Sequence, residues 1–166
     1  MITIDKAIEI ACEAHKNQKD KCGLPYIMHP IRVASCFKDE SAFIIAILHD
    51  VFEDAKDGIK SWLVFELEEN KYILEALELL NHKKGVPYEQ YIDELCNNSL
   101  AMVVKLADLS DNMDKERSRI AVSLMSNKSS IERFNKKQAK YKVAYEKIRL
   151  VLNKEYPNYK ECMFCK

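Results

Sequence analysis

Glycine and proline are scarce in this sequence, which has three glycines and four prolines among 166 residues. Tight turns between strands depend on these residue types, so their scarcity disfavours a β-sheet and favours helices. Long apolar runs are also missing, and no stretch approaches the length that spans a membrane. A chain of this length can bury a substantial core. We therefore predict an all-α fold, a helical bundle formed by a single domain over residues 1–166.

A net charge of either sign is missing as well, because 26 basic residues balance 26 acidic residues. Such a chain has no overall field to attract nucleic acid or an anionic membrane, and we expect neither as a partner. The first residues, MITIDKAIEIA, lack the basic and then apolar pattern of a signal peptide. Six cysteines without an export signal predict reduced thiols, and hence a cytoplasmic protein. The sequence does not indicate an oligomeric state.

Apolar residues at helical spacing predict the individual helices. The first expected helix is capped by Thr3 or Asp5, and the second begins at His29 and Pro30. A third helix is expected from Ala42 to Asp54 with Ser41 as its cap, followed by two helices over 59–69 and 72–80. The next runs from Tyr88 to Leu95, and another, capped by Ser99, runs from Leu100 to about Asn112. The core then covers about 4–112. Residues 114–130 are charged and rich in serine, which predicts a long loop with some helix. A last amphipathic helix is expected over about 131–154, followed by a tail over 155–166.

The third of these helices, AFIIAILHDVFED from Ala42 to Asp54, changes abruptly from apolar to acidic. Its first two turns are apolar all round, which predicts burial on every side. Asp50, Glu53 and Asp54 then share a face at the end of the helix, where the macrodipole is already negative. A bound cation would resolve this conflict, and His49 and Asp50 are reasonable ligands for a divalent metal. The alternative is a helix end that simply emerges into water.

Three separate segments bring metal-type side chains to a helix start or end, namely His29, the pair His49 and Asp50, and Asp108. Lys105, Asp108 and Asn112 are spaced i, i+3 and i+7, so they lie on one helix face. Taken singly, each residue has a plainer explanation, because a lone histidine is usually a core residue and a lone aspartate a surface one. The set as a whole is harder to explain in this way, and it contains no thiolate of the kind that closed structural zinc sites use.

Three motifs occur in order along the chain: PYIMHP at 25–30, LHDVFED at 48–54 and VKLADLSDN at 104–112. In this order they resemble the HD-domain metal-dependent phosphohydrolases. Within that superfamily the chain is most similar to the hydrolase domain of Rel/Spo-type alarmone enzymes and to their small stand-alone relatives, such as the metazoan SpoT homologue. The resemblance runs from about Ile4 to Asn112. It implies an HD-domain helical bundle and metal-dependent hydrolysis of a nucleotide substrate.

The resemblance also implies a role for each matching residue. The metal, usually Mn²⁺ in this family, would be held by His29, His49, Asp50 and Asp108. The acidic pair that positions or activates the attacking water would be Glu53 and Asp54. The candidate substrate-binding residues are Lys105, Asn112, Lys21 and Tyr26, of which Tyr26 has packing as an equal alternative. These residue types suit the chemistry, since a metal lowers the pKa of a bound water and a nearby carboxylate can take its proton.

Three acids depart from the pattern of the alarmone hydrolases. The place of an arginine that contacts guanine holds Asp20, and the His and Arg of the family's HNMR are replaced by Asp111 and Asp114. The metal and water machinery therefore matches, while the base and phosphate positions do not. Our first hypothesis is a (p)ppGpp-type 3′-pyrophosphohydrolase that releases pyrophosphate. The alternatives are a nucleotide or dinucleotide-cofactor phosphatase and a non-catalytic nucleotide-binding module.

A CxxC pair, Cys162 and Cys165, stands near the end of the sequence. No second pair is available to complete a zinc site, and no strand–helix context indicates a redox motif. We therefore predict a mobile tail at this point rather than a functional site.

Overall fold

The computed structural model describes residues 2–157, apart from the side chains of Asp54 and Asp57, and this part of the chain contains helices and no β-strand. The helices in chain order are α1 (Ile4–Ala14), α2 (Met28–Ala34), α3 (Glu40–Leu48), α4 (Val51–Asp54), α5 (Asp57–Glu66), α6 (Lys71–Leu80), α7 (Tyr88–Leu95), α8 (Ser99–Asn112), α9 (Lys115–Ser123) and α10 (Lys128–Glu155). The all-α class predicted from the scarcity of glycine and proline is confirmed. The predicted tail with Cys162 and Cys165 lies outside the described residues.

Helix α3 lies at the centre of the bundle. Its residues from Ile44 to Leu48 are at most 2% exposed, because α1, α2, α6 and α8 pack around it. Fully burying an aliphatic side chain contributes about 1.5–3 kcal/mol, so this run is a large part of the core. The burial of α3 on every side confirms what its apolar pattern predicted.

Helix α8 runs beside α3 and is also packed against α2, α6 and α10. Its residues from Ala101 to Val104 are completely buried. Both α3 and α8 end in polar residues on the same side of the bundle, where the turn after α3 holds His49 and Asp50 and the last turns of α8 hold Asp108. Among the described residues, no helix is long and apolar enough to cross a membrane.

The central helix begins earlier than predicted, and Ser41 is not its N-cap. Asp39 is the cap, and its carboxylate accepts the N–H of Ala42 at 2.8 Å. The hydroxyl of Ser41 lies instead 3.1 Å from that of Tyr72. An ionised carboxylate next to the positive end of the helix dipole is the stronger cap here, because both its hydrogen bond and its charge favour the helix.

The central helix also ends earlier than predicted, so the continuous helix to Asp54 was wrong. Helix α3 stops at Leu48, and a turn at His49 and Asp50 separates it from the four-residue α4. The Nδ1–H of His49 donates to the carbonyl oxygen of Ala46 at 2.7 Å. In a continuing helix that carbonyl would accept the N–H of Asp50, so the imidazole competes with the backbone at this point.

Local capping explains two further boundaries. Thr3 caps α1 as predicted, and its hydroxyl accepts the N–H of Lys6 at 3.2 Å. The cap of α8 is Asn98 rather than Ser99, because the side-chain oxygen of Asn98 accepts the N–H of Ala101 at 2.9 Å. Both caps satisfy a helix N–H that has no partner within its own helix.

The segment 114–130 contains more helix than predicted. Helix α9 fills its first half, and α10 begins at Lys128, three residues before the predicted start. Asp114 caps α9 by accepting the N–H of Arg117 at 2.8 Å, and Asn127 caps α10 in the same way. Short polar side chains, which favoured a loop here, bind the free N–H groups at helix starts instead.

The cap assignment at α3 can be tested with two substitutions. Asp39→Ala should lower the free energy of unfolding by about 1 kcal/mol, since the first turn loses both an acceptor and a favourable charge. Ser41→Ala, the matched control, should have a clearly smaller effect, because its exposed hydroxyl caps nothing. Urea unfolding followed by circular dichroism measures both. A larger loss in Ser41→Ala than in Asp39→Ala would contradict the assignment.

Candidate metal centre

The four predicted metal ligands meet where α2 crosses the ends of α3 and α8. They are His29 on α2, His49 and Asp50 in the turn after α3, and Asp108 on α8. Nε2 of His29 lies 3.1 Å from Oδ1 of Asp108 and 3.6 Å from Oδ2 of Asp50. Nε2 of His49 lies 3.0 Å from Oδ2 of Asp50 and 3.7 Å from Oδ1 of Asp108. The fold therefore brings all four side chains into one cluster, named the His/Asp cluster below.

The two histidines direct the same ring nitrogen into the His/Asp cluster. Nδ1–H of His49 donates to the carbonyl oxygen of Ala46, and Nδ1–H of His29 donates to Oδ2 of Asp111, both at 2.7 Å. A neutral imidazole that is protonated at Nδ1 carries its lone pair on Nε2. His29 and His49 are 4% and 3% exposed. Both rings therefore present a lone pair to one buried point.

A divalent metal ion fits the residues of this cluster. Within the described part of the chain, Nε2 of His49 has no hydrogen-bond partner although it is shielded from water. Its approach to Asp50 is short, but the geometry is not that of a hydrogen bond. A buried polar atom without a partner is costly, and a bond to a cation would satisfy it. Two imidazoles and two carboxylates form a donor set that suits first-row divalent metals.

Charge pairing within the cluster raises the pKa of His49 and lowers the pKa values of Asp50 and Asp108. Burial alone lowers the pKa of His49, but the charges of Asp50 and Asp108 raise that pKa by more, to about 10. Burial raises the pKa of Asp50, while the neighbouring His49 lowers it to well below its usual value. Burial also raises the pKa of Asp108, which Lys105 and the histidines lower by more. Both carboxylates are therefore ionised, and a cation would replace the proton that they attract to His49.

Three of the predicted substrate-binding residues contact the carboxylates of the cluster. The hydroxyl of Tyr26 donates to Oδ2 of Asp50 at 2.7 Å. Nζ of Lys105 lies 2.9 Å from Oδ2 of Asp108, and the amide of Asn112 donates to Oδ1 of Asp108. These contacts hold the two carboxylates in place and balance part of their charge.

A cavity of about 280 Å³ opens beside the cluster. It is lined by His29, Asp50 and Asp108, and also by Glu53 of α4. Glu53 is exposed, so its carboxylate lies on the solvent side of the cavity. The side chain of Asp54, the second member of the predicted acidic pair, lies outside the described residues.

Helix α10 supplies cavity residues that the sequence did not identify. Lys137 and Tyr141 lie one turn apart and line the cavity together with Phe134. Nζ of Lys137 lies 5.5 Å from the centre of the Tyr141 ring, and Nζ of Lys21 lies 5.9 Å from the same centre. The predicted substrate-binding residue Lys21 therefore faces the same ring as Lys137. In the sequence, Phe134 and Tyr141 belonged to a packing stripe, and only the lysines beside them indicated another role.

Arg117 of α9 is a second residue that the sequence did not identify. Its guanidinium contacts Asp111 and lies 3.2 Å from Oδ2 of Asp20. Two of the three acids that depart from the family pattern therefore share one arginine. The third, Asp114, caps α9. No spacing in the sequence relates Asp20 to Arg117, because 97 positions separate them.

Comparisons with known proteins give related sequences but no family model that matches this chain. The chain is 31% identical over 142 residues to the GTP pyrophosphokinase rsh of Brucella melitensis, a match that covers 74% of this chain and 19% of that protein. It is 46% identical over 55 residues to the guanosine-3′,5′-bis(diphosphate) 3′-pyrophosphohydrolase of Aquifex aeolicus, covering 31% of this chain and 8% of that protein. It is 29% identical over 122 residues to a probable enzyme of the same name from a Synechocystis species, covering 66% of this chain and 16% of that protein.

The fold and the cluster define an all-α protein with a His/Asp site that suits a divalent metal. The relatives support a relationship to the HD domain of Rel/Spo-type proteins, which the three motifs predicted. The chain spans about a fifth of the length of the Brucella relative, and less of the other two. The match therefore concerns one part of larger proteins.

Removing one carboxylate tests the cluster as a metal centre. Asp50→Ala should weaken Mn²⁺ binding by more than the roughly 10–100-fold that is typical for loss of an outer partner of a ligand. Asp93→Ala is the matched control, because Asp93 is an exposed carboxylate that pairs with Lys147. Equilibrium dialysis gives the Kd of each protein. A native Kd in Asp50→Ala would exclude Asp50 as a ligand.

Proposed function

We propose that this chain is a metal-dependent phosphohydrolase that acts on a nucleotide and releases pyrophosphate from the 3′ position of a guanosine bis(diphosphate). The observation that carries the proposal is one cavity that joins the His/Asp cluster, the carboxylate of Glu53 and a set of lysines. Those lysines are Lys21, Lys105 and Lys137. Two of the relatives are named for this 3′-pyrophosphohydrolase activity, and the Brucella relative for a pyrophosphokinase. A site of imidazoles and carboxylates beside the exposed acid Glu53 suits hydrolysis by water.

The proposed cofactor is Mn²⁺ or another divalent metal. The residues that would hold it are His29, His49, Asp50 and Asp108. When bound, such an ion lowers the pKa of a water and polarises a phosphoryl oxygen. The protein orients these donors through the contacts of Tyr26, Lys105 and Asn112 with the two carboxylates.

Glu53 is the proposed general base. It lines the cavity next to the cluster, and its exposure lets it pass a proton on to solvent. In this role its carboxylate accepts a proton from the attacking water as the new bond to phosphorus forms, while the bond between that phosphorus and the 3′ oxygen breaks and the departing oxygen takes a proton from solvent. Asp54 on the same short helix is the proposed second acid of the pair. A positioned base of this kind typically contributes about 10²–10⁴ to the rate.

The cationic side of the cavity is proposed to bind the phosphate groups and the base. Lys21 and Lys137 both lie over the ring of Tyr141, so their charges point to one region of the cavity. Each can donate to phosphoryl oxygens and to the acceptor atoms of a nucleobase. Lys105 lies deeper and carries its charge beside the carboxylate of Asp108.

A second candidate function is phosphate release from another nucleotide or from a dinucleotide cofactor. The observation that favours it is the contact of Asp20 with Arg117. Where the resembling hydrolases have an arginine for guanine, this chain has a carboxylate that already binds a neighbouring helix. Recognition of the base must therefore differ from that pattern, while the His/Asp cluster is unaffected.

A panel of nucleotides incubated with the protein and Mn²⁺ tests the proposed function. The panel contains guanosine 3′,5′-bis(diphosphate), nucleoside mono- and triphosphates, and phosphorylated dinucleotide cofactors. We expect pyrophosphate and guanosine 5′-diphosphate from the first substrate, identified by mass. Orthophosphate from another member would select the second candidate. No turnover of any member, with Mn²⁺ bound, would support a non-catalytic module.

Glu53→Gln separates the base from the metal donors. We expect kcat to fall by about 10²–10⁴ with KM little changed, since the lost interaction belongs to the transition state. The Kd for Mn²⁺ should stay native, because glutamine is nearly the same size and Glu53 is not a proposed ligand. Glu132→Gln on the exposed side of α10 is the matched control. Native turnover in Glu53→Gln would transfer the role to Asp54 or to another group.

A further inference from the structure

Asp111 was identified in the sequence only as a departure from the family pattern, yet it bonds directly to the His/Asp cluster. Its Oδ2 accepts Nδ1–H of His29 at 2.7 Å. The side chains of Asp111 and His29 are 12% and 5% exposed, so water competes little for this hydrogen bond. The contact joins two positions 82 residues apart. It is therefore a product of the way α2 packs against α8.

The carboxylate of Asp111 is itself held from two other directions. Arg32, one turn after His29 on α2, donates from Nε to Oδ1 at 2.7 Å and from Nη2 to Oδ2 at 3.2 Å. Arg117 on α9 donates from Nη1 to Oδ2 of Asp111 and from Nη2 to Asp20. Bidentate and charge-assisted contacts of this kind restrict rotation of a carboxylate. The acceptor that faces His29 is therefore fixed in place.

The nature of this acceptor determines where His29 carries its proton. A carboxylate can only accept, and the contact of Nδ1 with Asp111 at 2.7 Å is shorter than that of Nε2 with Asp108 at 3.1 Å, so the hydrogen bond to Asp111 favours a neutral His29 that is protonated at Nδ1. Its lone pair then lies on Nε2, which is 3.1 Å from Oδ1 of Asp108 in the cluster. His49 adopts the same Nδ1–H tautomer because its Nδ1–H donates to the backbone carbonyl oxygen of Ala46. A carboxylate behind an imidazole ligand fixes the ring and also makes it more basic.

We propose that Asp111 is a positioning residue that holds His29 in the Nδ1–H tautomer and directs its Nε2 lone pair into the candidate metal centre. This role rests on the metal centre proposed above, but the tautomer can be measured without any metal. Arg32 and Arg117 serve the same end by holding Asp111. Asp111, although it departs from the family pattern, then contributes to this site by fixing the orientation and the tautomer of His29.

Three variants separate the acceptor from the charge. Asp111→Ala removes both, whereas Asp111→Asn removes the same charge but keeps an oxygen that can accept from His29. Arg32→Gln removes an ion pair and leaves the contact between Asp111 and His29. We expect Asp111→Ala to raise the Kd for Mn²⁺ by about 10–100-fold. Asp111→Asn should recover most of that loss, and Arg32→Gln, which loosens Asp111 but leaves its contact with His29, should raise the Kd by less than Asp111→Ala does.

The ring ¹⁵N shifts of His29 provide the readout that a merely structural role would not change. They are recorded in the metal-free protein at a pH above the titration of the ring. The native protein should show protonated Nδ1, and Asp111→Ala should lose that preference. Protonated Nε2 in the native protein, an unchanged Kd in Asp111→Ala, or equal losses in Asp111→Ala and Asp111→Asn would each overturn the proposal.

The failure of the metal centre has a different signature. A native protein that shows the Nδ1–H tautomer but binds no Mn²⁺ would refute the centre and leave the contact between Asp111 and His29 intact. If Asp111→Ala does not fold, the native tautomer and the Kd of Asp111→Asn still decide. In that case, a rise in the Kd of Asp111→Asn as large as the rise expected for Asp111→Ala would count against the acceptor role.

Discussion

Two carboxylates at the ends of two buried helices, Asp108 buried and Asp50 half-buried, are the constraint on which the rest of this structure depends. Removing an ionised carboxylate from water costs several kcal/mol unless donors replace the water, and Asp108 is only 4% exposed. Tyr26 supplies a donor to Asp50, while Lys105 and Asn112 supply donors to Asp108. These donors come from two segments of the chain, the loop before α2 and helix α8, so assembly of the core and assembly of the site depend on the same packing.

The same need for charge balance accounts for the acids that depart from the alarmone hydrolase pattern. Asp20 and Asp111 both face the guanidinium of Arg117, which α9 brings between the loop before α2 and the end of α8. Asp111 keeps a pKa well below its usual value: burial raises that pKa, but the hydrogen bonds with His29 and the arginines lower it by more. Substitution at one of these positions in a relative would therefore be expected to accompany changes at the others.

The fold was predictable where the relevant interactions are local. The apolar stripes of α1 and α7 are complete within each helix, and the predicted and observed bounds agree closely. The ends of α3 were not predictable in this way, because neighbouring groups compete there. Asp39 and Ser41 are both able to cap, and His49 takes a carbonyl that a longer helix would use. The result depends on small differences in hydrogen bonding and charge that residue types alone do not rank.

By itself, the sequence determined the helical class and the buried centre, and the resemblance of its motifs to a known family identified the imidazoles and carboxylates of the cluster. The physical reason is that spacing along a helix decides which side chains share a face, and burial follows apolar periodicity. Only the tertiary structure decided that α9 and α10 complete the cavity with Arg117, Lys137 and Tyr141. A periodic stripe shows which face of a helix packs but not its partner. The pairing of Asp111 with His29 depends on such a partner, because it joins α8 to α2 where the two helices pack together.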